Sequence, residues 1–185
     1  MKGQYIFIII WGLLLQNGRA EGKGFQISTD DHENVEFPGH RFSIMIGHTH
    51  VPKGINAVNN KTSMIVPSWG LNYEFWINHK WAIGLHNDME ISTYVIDEGH
   101  GSEIERERPL VASLVAIFKP HHLIPIVGGI GREFEKHQNV WVFRLGVEFE
   151  IEMGSYWDLS PALVYDIKVS VYDSWTIGLT VGKRF

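Results

Sequence analysis

The chain contains no cysteine. Disulfides, thiolate chemistry and a lipid anchor carried on cysteine are therefore excluded. It has no run of lysine or arginine, and its formal net charge is -5 at pH 7. Recognition of nucleic acid needs a basic patch or stripe, so no nucleic-acid partner is expected. After residue 20 no apolar stretch approaches the roughly 20 residues that a membrane-spanning helix requires. A helical membrane protein is thus excluded for the body of the chain.

What the chain does have is apolar and aromatic content. Over 185 residues, 44% are hydrophobic, 12% aromatic and 20% charged. Such a composition buries enough apolar surface to offset the entropy of ordering, so disorder is not expected. The length suits one domain. The first twenty residues read as a signal peptide: Lys2, then an apolar run from Ile6 to Leu15, then small residues Gly18 and Ala20. This places cleavage after Ala20. A short membrane anchor is the other reading of that run, but it is too brief to span a bilayer as a helix. Residues 21–40 are then expected to form a polar lead-in to a single domain over residues 41–185.

From residue 41 onward the dominant pattern is strict alternation, the period of a strand with two unlike faces. In residues 140–153, Trp141, Phe143, Leu145, Val147, Phe149, Ile151 and Met153 share one face. Val142, Arg144, Gly146, Glu148, Glu150 and Glu152 share the other. Residues 63–78, 80–96, 157–169 and 175–185 repeat the pattern. Residues 41–51 begin in phase, but His48 and His50 then fall on the apolar face, so a bulge or a membrane boundary is expected nearby. Residues 108–119 are apolar on both faces. Residues 122–135 set Ile124, Ile126, Ile130 and Phe134 against Gly129, Gly131 and Glu133. The expected fold is all-β, an eight-stranded antiparallel up-and-down transmembrane β-barrel.

Alternation alone does not say which face is inside, and three features decide it. The connections 52–62 and 97–107 are long and polar, whereas 78–79, 120–121 and 154–156 are short. Outer-membrane barrels alternate long external loops with short periplasmic turns. The polar face is rich in glycine (Gly70, Gly84, Gly146, Gly178, Gly182), which suits the crowded interior of a narrow barrel. Trp69, Trp81, Trp141, Trp157 and Trp175 all lie on the apolar face, as in interfacial aromatic girdles. Pro67, Pro125 and Pro161 sit inside expected strands. Each removes a ladder hydrogen bond, so each is expected at a bulge or a strand end.

The last strand ends on Phe185 with apolar residues at every second place before it. This resembles the carboxy-terminal insertion signal of outer-membrane barrels. The layout of residues 40–185 is similar to the small OmpA- and OmpX-like barrels. Gly47-His48-Thr49-His50, residues 81–88 and residues 173–185 look like outer-membrane proteins of Bacteroidota. The resemblance implies the outer membrane of a Gram-negative bacterium, contact with its lipid and lipopolysaccharide, and insertion machinery that reads the final strand. It is nearly silent on activity.

The polar face carries Glu74, His86, Asp88, Glu90, Glu133, Arg144, Glu148, Asp166, Lys168 and Arg184. These form either a proton or ion path or a salt-bridged plug, and charges withdrawn from water persist when paired. His48 and His50 share a face and offer two candidate metal ligands, short of the three or four a zinc site needs. No cofactor is called for. The enzyme reading is lipid A modification, in which some small barrels use histidine, serine and a carboxylate. Here the nearest analogue pairs His86 with Asp88, and no serine stands at the required spacing along a strand. The expected role is non-enzymatic: a structural or accessory barrel, with small outward residues such as Ala112, Ala116 and Gly128 offering a docking face for a larger outer-membrane assembly. A lipid A-modifying enzyme and a narrow solute or metal channel are the alternatives.

Overall fold

A strand points successive side chains to opposite faces, so an alternating sequence must bury one set and expose the other. In this computed structural model the buried set is the polar one. Residues 37–55, 61–99, 102–136 and 138–185 are described. The expected signal peptide and most of the expected lead-in lie outside them. Eleven strands are formed: β1 (Gly39–Ile55), β2 (Lys61–Trp76), β3 (Trp81–Glu90), β4 (Thr93–Gly99), β5 (Ser102–Glu107), β6 (Leu110–His121), β7 (Ile124–Phe134), β8 (Val140–Glu148), β9 (Ile151–Gly154), β10 (Trp157–Lys168) and β11 (Tyr172–Arg184). The barrel runs β1-β2-β3-β6-β7-β8-β10-β11, and β11 pairs back onto β1. All ladders are antiparallel. This is the closed eight-stranded barrel expected from the alternation.

The outward face is apolar around the circumference: Ile46 is 68% exposed and Leu114 64%, whereas Arg144 is 2% and Lys168 1%. A soluble barrel would show the reverse. An apolar band around a charged interior is the arrangement lipid demands. The short turns, at residues 77–80, 122–123 and 155–156, lie at the end that also holds Gly39 and Arg184. That end is called the lower rim below, and the other the upper rim.

Three expectations about individual strands need correction. β1 begins at Gly39, so Gly39 and His40 belong to the barrel and not to the lead-in. The strand expected over 80–96 leaves the barrel at Glu90. Thr93–Gly99 and Ser102–Glu107 then form a hairpin, where the end of that strand and a plain polar loop over 97–107 were expected, and it docks on the top of β1 opposite Gly54 and Ile55. The strand expected over 140–153 is interrupted between Glu148 and Ile151. Its register against β10 is the same on both sides of the gap, with Ala162 opposite Glu148 and Leu159 opposite Ile151.

Proline explains that gap. Pro161 accepts a hydrogen bond from Phe149 N–H (2.8 Å) and, lacking an N–H, returns none. Pro67 does the same where β3 ends, accepting from Ile91 N–H (2.9 Å). Pro125 sits beside the register shift between Phe118 and His121 and one residue before the β7–β8 ladder starts. All three prolines therefore mark interruptions, as the sequence implied. β1 keeps one phase from Arg41 to Val51, and its register shift falls between Val51 and Gly54. His48 and His50 thus point outward without a preceding bulge.

Candidate functional site

Among the described residues the lumen is where the fold concentrates chemistry, and it is filled in tiers. In the lowest, the phase of β1 aims Arg41 inward. Its guanidinium donates to both oxygens of Asp158 (2.9 and 2.6 Å) and to Glu74 (2.6 Å). Glu148 lies 3.7 Å from it. The second oxygen of Glu74 accepts the Trp76 indole N–H at 2.9 Å. Below Trp76, Lys119 and Arg184 both reach the same oxygen of Glu150, at 2.9 and 2.8 Å. The two cations also stand 5.7 and 5.5 Å from the Trp76 ring. Trp76, Ala82, Val115, Ile117 and Val127 close this end with an apolar cluster.

In the middle, Arg144 donates twice to Asp166, at 2.8 Å each, and contacts Asp88. The paired planar fork matches a carboxylate and makes this a strong form of ion pair. Above it, Lys168 Nζ lies 3.0 Å from Glu90 and 2.9 Å from Glu133, and donates to the Tyr172 hydroxyl at 2.7 Å. Tyr172 donates in turn to Glu133 at 2.9 Å.

The β4–β5 hairpin folds its inward side over this tier. Tyr94 donates to Glu90 at 2.5 Å. Arg106 lies 3.5 Å from Glu133 and donates to the Gln138 carbonyl at 2.7 Å. Burial holds the Tyr94 phenol well above its ordinary pKa, with the Glu90 and Glu133 charges adding to the effect and Lys168 opposing it. Tyr94 is therefore a fixed donor. Ile96 packs with Val51, Val66, Val140, Val171 and Tyr172 into an apolar cap at the upper mouth.

The structure thus brings all ten polar-face residues into the barrel interior, in contact with one another or with further partners. Arg41, Lys119, Glu150 and Asp158 complete the lower half of the network, and Tyr94, Arg106 and Tyr172 the upper. Glu150 and Asp158 already lay on the expected polar faces of residues 140–153 and 157–169, and Arg41 could have been found by extending the alternation two residues before Ser43. Lys119 could not, because its strand is apolar on both faces.

His48 and His50 face outward. His50 contacts Ser63 and packs its ring, tilted by 34°, against Trp175 with ring centroids 4.6 Å apart. Among the described residues no group of three or more His, Cys, Asp or Glu side chains could hold a metal ion. Phe185 lies outward at the lower rim, its backbone bonded to His40 (2.9 and 3.2 Å). One juxtaposition escaped the sequence entirely: Ser113 stands opposite His86 on the neighbouring strand, and His86 Nε2 lies 3.4 Å from Glu74. The Ser113 hydroxyl makes no hydrogen bond, however, and its residue is 0% exposed.

No protein-family model matches this chain. No curated protein matches it either. Solved structures do. Ail, the attachment invasion locus protein of Yersinia pestis, aligns with a TM-score of 0.53 at 12% identity over 80% of this chain and 98% of its own. The N-terminal β-barrel domain of Pseudomonas aeruginosa OprF gives 0.53 at 11%, over 78% and 97%. Neisserial surface protein A gives 0.52 at 11%, over 79% and 97%.

The fold is that of the small outer-membrane β-barrels. At these identities the likeness is one of fold. It says nothing by itself of what this barrel binds or does.

Proposed function

We propose that this protein is a closed outer-membrane barrel of a Gram-negative bacterium, with a structural or accessory role exercised through its outer surfaces, as a subunit of a larger outer-membrane assembly. The lower rim is then periplasmic and the upper rim external, as the loop lengths require. The observation that carries the reading is the occupied lumen. From Arg184 to Arg106 the interior is crossed by ion-paired side chains, and the apolar cap around Ile96 seals the upper mouth. A channel needs a continuous wet path, and these tiers interrupt one. The lipid-modifying reading has less to stand on, because Ser113, His86 and Glu74 face the interior and are buried.

The test of closure is single-channel recording of the purified protein in planar bilayers. Conductance indistinguishable from protein-free bilayers is expected, and discrete, reproducible openings would overturn the reading. The subunit role is tested by mild detergent extraction of a tagged copy from its native membrane. A stoichiometric partner is expected, and a clean monomer would overturn that part.

A further inference from the structure

Outward cations are rare on this barrel. Among the described side chains of the eight barrel strands, the lysines and arginines on the apolar face are Arg132 on β7 and Lys183 on β11. Each stands directly opposite a tryptophan on the adjacent strand: Arg132 opposite Trp141, and Lys183 opposite Trp157. The Arg132 guanidinium lies 5.6 Å from the Trp141 ring centroid, and the Lys183 ammonium 4.9 Å from that of Trp157. These are cation–π distances.

Among the described residues neither cation has a carboxylate within 4.0 Å, although the other described cations of the barrel strands are ion-paired. Their remaining cross-strand neighbours are apolar: Ala112 beside Arg132, and Phe42 beside Lys183. An aromatic face satisfies one side of a cation. The N–H donors on the other side still need an acceptor, and among the described residues neither cation has an ion-pair partner and the cross-strand neighbours offer no acceptor side chain.

The two pairs lie at opposite rims. Trp157 and Lys183 are at the lower ends of β10 and β11, and Arg132 and Trp141 at the upper ends of β7 and β8. The rise from Ile124, at the foot of β7, to Arg132 is roughly 27 Å along the strand. At the usual tilt this is roughly 20 Å along the barrel axis, close to the height of a lipid-facing apolar band. Each cation thus stands where the hydrocarbon ends and the headgroups begin. The acceptor available at that depth is a lipid phosphate.

We propose that Arg132–Trp141 and Lys183–Trp157 are two lipid-phosphate sites, one in each leaflet. The cation donates to the phosphate oxygens, and the indole beneath it fixes the cation at headgroup level. This inference rests on the membrane-spanning fold and is independent of whether the lumen conducts.

Native mass spectrometry of the protein released from detergent tests it, with phosphatidylglycerol and the diacylglycerol of the same chains as probes. The diacylglycerol lacks only the phosphoglycerol headgroup. Wild-type protein is expected to retain phosphatidylglycerol and to lose diacylglycerol. A juxtamembrane cation near an anionic headgroup is worth about fivefold in affinity. Arg132→Gln and Lys183→Gln should therefore each weaken retention by about that factor at their own site, and the double variant should lose both. Arg132→Lys and Lys183→Arg should restore it. Inorganic phosphate at matching concentration should not compete, which separates a lipid site from a free-anion site. Equal retention of the two lipids by wild-type protein would overturn the proposal without reference to any variant. An unchanged single variant would overturn the site at its rim. Heat-modifiable gel mobility reports folding of each variant independently.

Discussion

Arg144 and Asp166 meet across the β8–β10 ladder through two parallel hydrogen bonds of 2.8 Å each, both side chains inside the barrel. Asp88 completes the guanidinium's surroundings from β3. Replacing Asp166 by alanine leaves Arg144 buried with half its carboxylate partners. Removing one member of a buried pair costs about 3–5 kcal/mol because the other charge stays uncompensated. The residual Asp88 contact places the Asp166→Ala loss near the bottom of that range, about 3 kcal/mol. Urea unfolding in phospholipid vesicles, followed by tryptophan fluorescence, would measure it. A change below about 1 kcal/mol would show that water reaches Arg144.

Glu148 and Asp158 both approach Arg41, but unequally. Asp158 takes two hydrogen bonds, whereas Glu148 stands 3.7 Å away, beyond hydrogen-bond range. The two carboxylates should therefore separate in stability. Asp158→Ala is expected to cost about 3 kcal/mol or more. Glu148→Ala should cost less than about 1 kcal/mol, since Arg41 keeps Asp158 and Glu74. The same vesicle assay ranks them, and equal losses would mean that the Arg41 tier shares its charge without preference.

The sequence was most legible where alternation was clean. Residues 140–148 matched both the strand and its inward set, because Arg144 and Glu148 could lie on one face only, whereas Glu152, expected on the same face, is exposed. It was least legible where polarity failed to mark a face. Val111, Val115 and Ile117 point inward and Leu114 outward from the same strand, so composition could not set the phase that brings Lys119 to Glu150. The hairpin was missed for a different reason. Tyr94, Ile96, Ile104 and Arg106 do alternate, but the expected barrel strand ran through the first two, and the charges of residues 103–108 read as a solvated loop. Cross-strand partners such as Ser113 and His86 depend on register, which follows from where each strand begins.

Glycine in the wall of this barrel has two different reasons. A methyl group added at Gly84 would sit 2.7 Å from the Tyr73 carbonyl oxygen and 3.3 Å from the Glu74 side chain. At outward-facing Gly128 the nearest atom, of Leu145, would be 4.0 Å away. Gly84→Ala should therefore push β3 from β2 and cost about 1–3 kcal/mol. Gly128→Ala should be neutral or stabilising by up to about 1 kcal/mol, since it stiffens the unfolded chain at no steric cost. Melting of the two variants in one detergent compares them directly. A loss at Gly128 equal to that at Gly84 would argue that another surface packs against the outward side of β7.

The hairpin cap gives a sharper test, because its apolar cluster and the barrel wall can be broken separately. Ile96 is 0% exposed among Val51, Val66, Val140 and Val171. A carboxylate there finds no partner in the cluster and stays ionised only by reaching water. Ile96→Asp should thus lift the hairpin from the mouth while leaving the closed β1–β11 ladder intact. Limited proteolysis with trypsin in liposomes is the measurement, with cleavage after Arg106 as the signal, since the Arg108–Pro109 bond resists trypsin. Arg106 is fully buried in the native protein, so rapid cutting there requires the hairpin to open. Faster cleavage with unchanged heat-modifiable mobility is the expected outcome. Loss of the mobility shift along with it would mean that cap and barrel form one cooperative unit. Even with the cap lifted, the Lys168, Arg144 and Arg41 tiers remain beneath it, so the open variant should still conduct no more than wild type.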